Sequence, residues 1–242
     1  MTPLRVIDTG TTPAYPIPAG MEVCHFPALI RSPLEIRRSD VEALLARPHQ
    51  ILFYSCFAIE VVSNAQLISN PGDHNYWAVG SRSAEAIEVH FGVVPGSPEI
   101  EDFEHLKEMV LASGIKRPIL SLGLLGQYRP LDDVAAALGV SWNDFSVYES
   151  RASDQEKCRE LLKHFDPHWI TFTSSRGARA FVDALGAEVL REKLQRKELR
   201  LAAIGPSTAA TLVQADLEPT LVATIPDRRL LLAEISRIHS NY

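Results

Sequence analysis

The chain contains an internal repeat that spans about half its length. Residues 51–55 (ILFYS) correspond to residues 170–174 (ITFTS), and the two segments lie 119 residues apart. Residues 78–84 (AVGSRSA) likewise correspond to residues 203–209 (AIGPSTA), at a distance of 125 residues. Solenoid repeats have periods of roughly 20 to 50 residues, so a repeat of this length indicates a duplicated domain. We therefore predict two related halves.

Short apolar runs of β-forming residues alternate along the chain with segments of helical period. The strand candidates are residues 6–8, 51–54, 76–79, 118–120, 169–172 and 201–204. The helix candidates, with apolar residues at three-to-four spacing, are residues 132–138, 155–164, 178–185 and 207–214, and the charged run 190–200 is predicted to be an exposed helix. This alternation is typical of parallel α/β sheets, whose strands are buried on both faces. The fold class predicted is α/β, with two related parallel-sheet domains.

Two stretches of extended pattern are candidates for the connections between the halves. They are residues 27–33, whose prolines disfavour a helix, and residues 145–150. If the two stretches run side by side, one domain is discontinuous. The predicted division assigns residues 1–29 and 152–242 to a discontinuous domain, 34–146 to an inserted domain, and 30–33 and 147–151 to a two-stranded linker.

Composition excludes several classes of protein and partner. The 242 residues are 46% hydrophobic, which is enough for globular cores and excludes disordered and coiled-coil classes. With 24 basic and 30 acidic residues the net charge is −6, which disfavours binding to nucleic acid or to an anionic membrane. No run reaches the roughly 18 apolar residues of a membrane span, and the amino-terminal residues lack a signal-peptide pattern. We expect a cytoplasmic protein.

Sequence patterns for metal, nucleotide and hydrolase sites are absent. The three cysteines, Cys24, Cys56 and Cys158, show neither CxxC nor zinc-ligand spacing, which also argues against a disulfide framework. The glycines of residues 123–126 lack the spacing of a dinucleotide fingerprint, and there is no P-loop, HExxH or GxSxG pattern. We predict no metal and no cofactor.

Small hydroxyl residues stand where several predicted strands end and helices begin. They are Ser55, Ser81 and Ser83 in the first half, and Ser174, Ser175, Ser207 and Thr208 in the second. The amino end of a helix presents unpaired backbone amides and the positive end of its dipole, which can hold carboxylates or phosphates. Serine and threonine at such places commonly serve only as N-caps. Their recurrence in both halves favours a binding role as well.

Other residues near these strand ends add to the candidate site. Gly205 precedes Pro206, whose missing amide costs nothing in a first helical turn. Arg82, Arg176 and Arg179 could pair with ligand carboxylates, although solvated arginines on a helix surface are the commoner case. Tyr148, in a proposed connecting strand, is either a buried aromatic or a phenol that faces a cleft between domains and exchanges a proton.

In this order, the motifs resemble those of the uroporphyrinogen-III synthase family. The resemblance is carried by residues 147–150 (VYES), 170–174 (ITFTS) and, most specifically, 203–209 (AIGPSTA), with a looser match in the first half. It implies two α/β domains joined by a two-stranded linker. It also implies the reaction: linear hydroxymethylbilane closes to uroporphyrinogen III with inversion of ring D and loss of water, through a spiro-type intermediate and without a cofactor. The enzyme would be a lyase.

The resemblance also implies roles for individual residues. Tyr148 would assist the departing hydroxyl as a weak acid. The substrate-binding set would be Ser55, Ser81, Ser83, Ser174, Ser175, Arg176, Gly205, Ser207 and Thr208. Their backbone amides could hold the eight carboxylates of the substrate despite the net negative charge of the protein. We expect a monomer that can receive the bilane from hydroxymethylbilane synthase.

Two segments depart from the pattern of the family. Family members usually begin with a strand ending in Thr-Arg and a crossover helix, whereas here Asp8, Thr9 and Gly10 precede a proline-bearing stretch with no helical pattern. Leu122 stands where an Arg-Gly pair is expected. The alternative is therefore a non-catalytic two-domain protein that keeps the fold and binds a tetrapyrrole or another small anion. A flavodoxin-like regulator is a weaker alternative, because no clustered aspartates follow the first strand.

Overall fold

The computed structural model describes residues 3–14, 16–127 and 130–240, and within this part of the chain it contains ten strands and ten α-helices. The strands are β1 (Leu4–Asp8), β2 (Met21–His25), β3 (Leu29–Pro33), β4 (Gln50–Phe53), β5 (Asn75–Ala78), β6 (Ile119–Leu124), β7 (Trp142–Ala152), β8 (Trp169–Phe172), β9 (Arg200–Ala203) and β10 (Leu221–Val222). The helices are α1 (Arg38–Leu44), α2 (Cys56–Asn64), α3 (Ser81–Phe91), α4 (Phe103–Ala112), α5 (Asp132–Leu138), α6 (Gln155–Phe165), α7 (Ser175–Leu185), α8 (Ala187–Gln195), α9 (Pro206–Val213) and α10 (Arg228–Ser240). A short 3₁₀ helix spans Pro71–Asp73.

The chain divides into two compact units. Residues up to Arg31 and from Arg151 onward form the discontinuous unit, and Ser32–Ser150 form the inserted unit. The two points at which the chain passes from one unit to the other lie within β3 and β7, which are neighbours in one sheet. This arrangement of parallel sheets and helices confirms the predicted α/β class. The outermost residues of the predicted discontinuous domain, 1–2 and 241–242, lie outside the described residues.

The sheet of the discontinuous unit has the strand order β10-β9-β8-β1-β2, and all its neighbouring strands are parallel. Side chains alternate between its faces: Ile7 and Ile170 pack with α6 to α9, whereas Val6 and Trp169 pack with α10. All four side chains are fully buried. A shift in register by one residue would exchange the two faces, so this alternation fixes how the strands pair.

The sheet of the inserted unit has the order β3-β7-β6-β4-β5, and the strands from β7 to β5 are parallel. Ile51 and Phe53 face a core built with α1, α2 and α3, while Leu52 faces a second core built with α4 and α5. Burying side chains of this size stabilises a fold by about 1.5–3 kcal/mol each. Both faces are covered, which explains why the strands show continuous apolar runs.

The prediction of an exposed helix over residues 190–200 is wrong in both the bounds of the helix and its exposure. The helix α8 begins after Gly186, which adopts a positive φ of 86°, and it ends at Gln195. Leu190 and Leu199 are buried in the core of the discontinuous unit, and Arg200 already belongs to β9. Because most residues of this run are charged, its sequence does not indicate that Leu190 and Leu199 pack into the core. Nor does it indicate the turn after α8, in which Lys197 has a φ of 58°.

The connection from β1 to β2 contains no helix in its described residues, 9–14 and 16–20. Ala14 packs into the core on the α10 face, and a ring nitrogen of His25 lies 2.7 Å from the carbonyl oxygen of Gly10. None of the helices in the described part of the chain has the length and apolar character that crossing a membrane requires.

Candidate functional site

The start of α2 in the inserted unit is built around Ser55. Its backbone is extended, with φ −158° and ψ 146°, and its hydroxyl oxygen accepts a hydrogen bond from the Ala58 amide at 3.2 Å. Ser55 is therefore a true N-cap, the role that such residues most often have. Because the cap uses only an acceptor lone pair, the hydroxyl proton of Ser55 remains available for a second hydrogen bond.

The position of Tyr148 depends on an irregularity in β7. Gly123 pairs with Ser146 but the next residue, Leu124, pairs with Tyr148, so β7 holds one extra residue, Val147. Successive side chains of a regular strand point to opposite faces, yet Val147 and Tyr148 both pack into the core on the α2 face. The bulge therefore turns the phenol toward the start of α2, as bulges near functional sites often do.

The structure brings Ser55 and Tyr148 together. The Ser55 hydroxyl donates a hydrogen bond to the phenol oxygen of Tyr148 at 3.1 Å, and the ring of Phe57 meets the Tyr148 ring edge-on with centroids 5.0 Å apart. Tyr148 is 5% exposed. Since the phenol accepts from Ser55, its own proton is not consumed by this contact and can be given to another acceptor. The pair is thus a positioned phenol with a free proton.

The start of α3 is already occupied by a carboxylate from its own unit. Gly80, in extended conformation, is the N-cap, and the Ser81 amide donates a 2.8 Å hydrogen bond to a carboxylate oxygen of Glu101. Hydrogen bonds from Ser81 hold the pKa of Glu101 below its usual range, so the group is ionised near neutral pH. The sequence predicts that this helix start binds a carboxylate of a ligand. In the structure the Ser81 amide instead binds a carboxylate of the protein itself, that of Glu101.

Ser83 lies two residues further into α3, about half a turn, and is buried, in contrast to the exposed Ser81. The thiol sulfur of Cys56, the first residue of α2, is 3.7 Å from the Ser83 hydroxyl oxygen and 3.5 Å from the Arg82 carbonyl oxygen. Two helix starts predicted from separate motifs are thereby joined within the inserted unit.

The discontinuous unit repeats this arrangement. Ser174 is extended, caps α7 and accepts a hydrogen bond from the Gly177 amide at 3.0 Å, as Ser55 does for α2. Ser175 is the first residue of α7, and Arg176 follows it with an exposed side chain. The helix α9, which packs on α7, begins at Pro206.

The first turn of α9 matches that of α3 position by position. Gly205 is the N-cap, as Gly80 is for α3, and neither cap makes a side-chain hydrogen bond. Ser207 is exposed, whereas Thr208 is buried, as its repeat counterpart Ser83 is. Capping by a side chain therefore holds for Ser55 and Ser174 and not for the other hydroxyls. The burial of Ser83 and Thr208 comes from the helical turn, which directs them inward.

A buried ionic cluster at the end of β1 escaped the sequence interpretation. The Asp8 carboxylate, 1% exposed, forms an ion pair with Arg228 at the start of α10 and accepts a 3.0 Å hydrogen bond from the Thr171 hydroxyl. The Gly10 amide also donates to this carboxylate, and Arg228 donates to the Thr12 hydroxyl. Asp8 and Arg228 are 220 residues apart, so no local pattern connects them.

Metal binding finds no support in the described residues. Within them, no group of three or more His, Cys, Asp or Glu side chains is arranged to hold a metal ion. Cys24, Cys56 and Cys158 are free thiols. Among the described residues, the groups assembled at the strand ends are hydroxyls, helix-start amides, the Tyr148 phenol, the Glu101 carboxylate and the ion pair of Asp8 with Arg228.

Comparisons with known proteins agree on one family. The family model described as Uroporphyrinogen-III synthase HemD matches residues 18–233. Uroporphyrinogen-III synthase of Chlorobaculum parvum is 23% identical over 185 residues, covering 72% of this chain and 70% of that protein. The crystal structure of uroporphyrinogen-III synthetase from Helicobacter pylori covers 98% of this chain and 99% of its own, at 16% identity and a TM-score of 0.63. The crystal structure of a mutant uroporphyrinogen III synthase from Thermus thermophilus covers 99% of this chain and 100% of its own, at 17% identity and a TM-score of 0.61.

Proposed function

Because the chain belongs to the uroporphyrinogen-III synthase family, whose members act in heme biosynthesis, we propose that it closes hydroxymethylbilane to uroporphyrinogen III. Ring D is inverted and one molecule of water is lost, so the enzyme is a cyclising lyase. The single observation that supports this most strongly is the hydrogen bond from Ser55 to Tyr148, which leaves the phenol proton free. No cofactor takes part in the proposed reaction.

The proposed chemistry asks little of side chains. The phenol of Tyr148 donates its proton to the hydroxyl of the bilane, which leaves as water and gives a reactive azafulvenium cation. Ring closure then releases one proton from the attacked pyrrole, and this proton returns to the phenolate of Tyr148. The protein must then favour the attack that inverts ring D over direct closure, and it does so by holding one conformation of the chain of rings. Orientation supplies most of the selectivity, and the buried phenol supplies the proton.

Binding of the substrate is proposed to use the helix starts of both units. The amide ends of α3, α7 and α9, with Ser81, Ser175 and Ser207, can hold carboxylates without a net positive protein, and at α3 the carboxylate of the substrate would displace that of Glu101. Arg176 adds a positive charge at the start of α7. Ser55 and Ser174 are proposed to fix the starts of α2 and α7 as caps. The buried Ser83 and Thr208 are proposed to fix the first turns of α3 and α9 by packing into the units that carry them.

The direct test uses the isomer of the product. Hydroxymethylbilane generated by an enzyme would be supplied to the purified chain, and the products oxidised and separated by chromatography into type I and type III uroporphyrins. Uncatalysed closure gives type I, so we expect an excess of type III that grows in proportion to the protein added. Only type I from a folded sample would reject the synthase.

The alternative function is a non-catalytic protein that binds a tetrapyrrole or another small anion. It is favoured by the segment Asp8, Thr9 and Gly10 at the end of β1, which lacks the arginine of the Thr-Arg pair that is usual in the family. In the isomer experiment this alternative predicts type I alone, together with retained binding of the bilane. A monomeric state, transfer of the bilane from hydroxymethylbilane synthase and a cytoplasmic location accompany the main proposal as predictions.

Replacing Glu101 by alanine is expected to lower KM for the bilane several-fold and to leave kcat unchanged. The substitution frees the Ser81 amide, which Glu101 occupies at 2.8 Å, for a carboxylate of the substrate. Initial rates of type III formation across a range of bilane concentrations would measure both constants.

Glu99→Ala is the matched control, because Glu99 is an exposed glutamate of the same segment and no hydrogen bond or ion pair involves it in the described part of the chain. Both variants remove one negative charge, so a general electrostatic effect would lower KM equally in the two. An unchanged KM in Glu101→Ala would show that the α3 start does not bind the substrate.

A further inference from the structure

A groove of about 440 Å³ lies on the discontinuous unit, between the later turns of α6 and α7 and the helix α8. Its apolar lining comes from Leu162, Leu185 and Val189. Leu162 and Leu185 are almost fully buried, whereas Val189 is 45% exposed. The volume lies within the range of roughly 300–1,000 Å³ that is usual for small-molecule sites, which are mostly apolar with a few polar groups.

This groove is separate from the candidate active site. Ser175 begins α7 at the carboxyl edge of the sheet, and Leu185 ends the same helix. Since a helix rises about 1.5 Å per residue, roughly 15 Å of helix separates the two positions. A ligand in the groove would therefore lie well away from Ser174, Ser175 and Arg176 at the start of α7.

The charges around the groove are mostly positive. Arg159 and Lys163 stand four residues apart on α6, and neither forms an ion pair with a described residue. Lys193 is compensated, because it lies 3.7 Å from Asp166. Asp166 in turn lies 3.0 Å from the guanidinium of Arg5.

Residues four apart on a helix are neighbours, so Arg159 and Lys163 place two positive charges side by side at the rim of the groove. The net charge of the chain is −6, so this rim has the opposite sign to the molecule as a whole. An apolar floor beside two unpaired cations is complementary to a ligand with an apolar body and an anionic head.

We propose that this groove binds a small amphiphilic anion. The apolar body lies on Leu162, Leu185 and Val189, and the anionic head lies between Arg159 and Lys163. Binding removes the exposed valine surface from water and places a negative charge beside the two cations at the rim of the groove. The site belongs to a second ligand and does not depend on the proposed synthase reaction.

Dodecanoate, at concentrations at which it stays monomeric, is the probe, with isothermal titration calorimetry of the full chain as the measurement. We expect saturable binding at one site. Dodecyltrimethylammonium, which has the same apolar chain and the opposite charge, should bind at least about tenfold more weakly. Val189→Asp and Lys163→Glu should each weaken dodecanoate binding by about tenfold or more, because each places a negative charge in the groove.

Val213→Asp is the matched control, since Val213 is a similarly exposed valine, 54%, on α9 and outside the groove. It should bind dodecanoate as the unmodified chain does, and circular dichroism would establish that all variants are folded. Absence of binding, equal binding of the cationic probe, or equal binding by Val189→Asp would each overturn the proposal. So would attachment to phosphatidylglycerol vesicles without binding of monomeric dodecanoate, which would identify a membrane surface instead.

Discussion

Replacing Tyr148 by phenylalanine is expected to lower the rate of type III formation by about 10²- to 10⁴-fold, the usual contribution of a general acid. The variant loses only the phenol oxygen, which accepts the hydrogen bond from Ser55 and carries the free proton. The ring itself should stay in place, because Phe57 and the surrounding core hold it by packing. Binding of the bilane, measured by fluorescence or calorimetry, should therefore persist.

Tyr76→Phe provides the matched control for this prediction. Tyr76 is also buried in the inserted unit, and its phenol oxygen has no hydrogen-bond partner among the described residues. Burial raises the pKa of Tyr76, so its phenol keeps its proton near neutral pH. Removing this oxygen should leave turnover unchanged and can even stabilise the fold.

Normal catalysis by Tyr148→Phe would refute the acid role of the phenol. Loss of binding together with turnover would point to a structural role instead. Ser55→Ala separates these outcomes further, since it removes the hydrogen bond to the phenol and the cap of α2 but keeps the acid. We expect an intermediate loss of rate and about 1 kcal/mol of lost stability from the missing cap.

Local patterns predicted those features that depend on neighbouring residues. Ser55 and Ser174 were placed at helix starts because a β-rich run precedes each and a helical segment follows, and both are N-caps in the structure. Ser83 and Thr208 occupy equivalent positions of the repeat, and both are buried in the first turn of their helices. Such features follow from helix geometry alone.

Features that depend on contacts between distant segments were not predictable in the same way. Glu101, which accepts the hydrogen bond from the Ser81 amide at the start of α3, lies in a loop twenty residues after Ser81. The bulge that aims Tyr148 depends on how β7 pairs with β6, and one added residue changes the face without changing the composition of the strand. The amino-acid sequence alone does not show which strands pair or which loop returns to a helix start, so it predicts neither the bulge nor the Glu101 contact.

The ion pair between Asp8 and Arg228 is the distant contact with the largest expected effect on stability. Replacing Asp8 by alanine should lower the free energy of unfolding by about 3 kcal/mol or more, because it leaves a largely buried guanidinium without its counter-charge. The Thr171 hydroxyl and the Gly10 amide lose their acceptor at the same time. Denaturant unfolding followed by the fluorescence of Trp169, which is buried in this unit, would measure the change.

The neighbouring pair of Arg229 and Asp227 supplies the control. It is an ion pair of similar type on the same segment, but Arg229 is 65% exposed, so Arg229→Ala should have little effect on stability. The double variant Asp8→Ala with Arg228→Ala should cost less than the sum of the single changes, because each single change strands a charge that the other removes. Additive losses would mean that the two groups act independently. The stability of the fold at the end of β1 would then come from the packing around Asp8 and Arg228 and not from their ion pair.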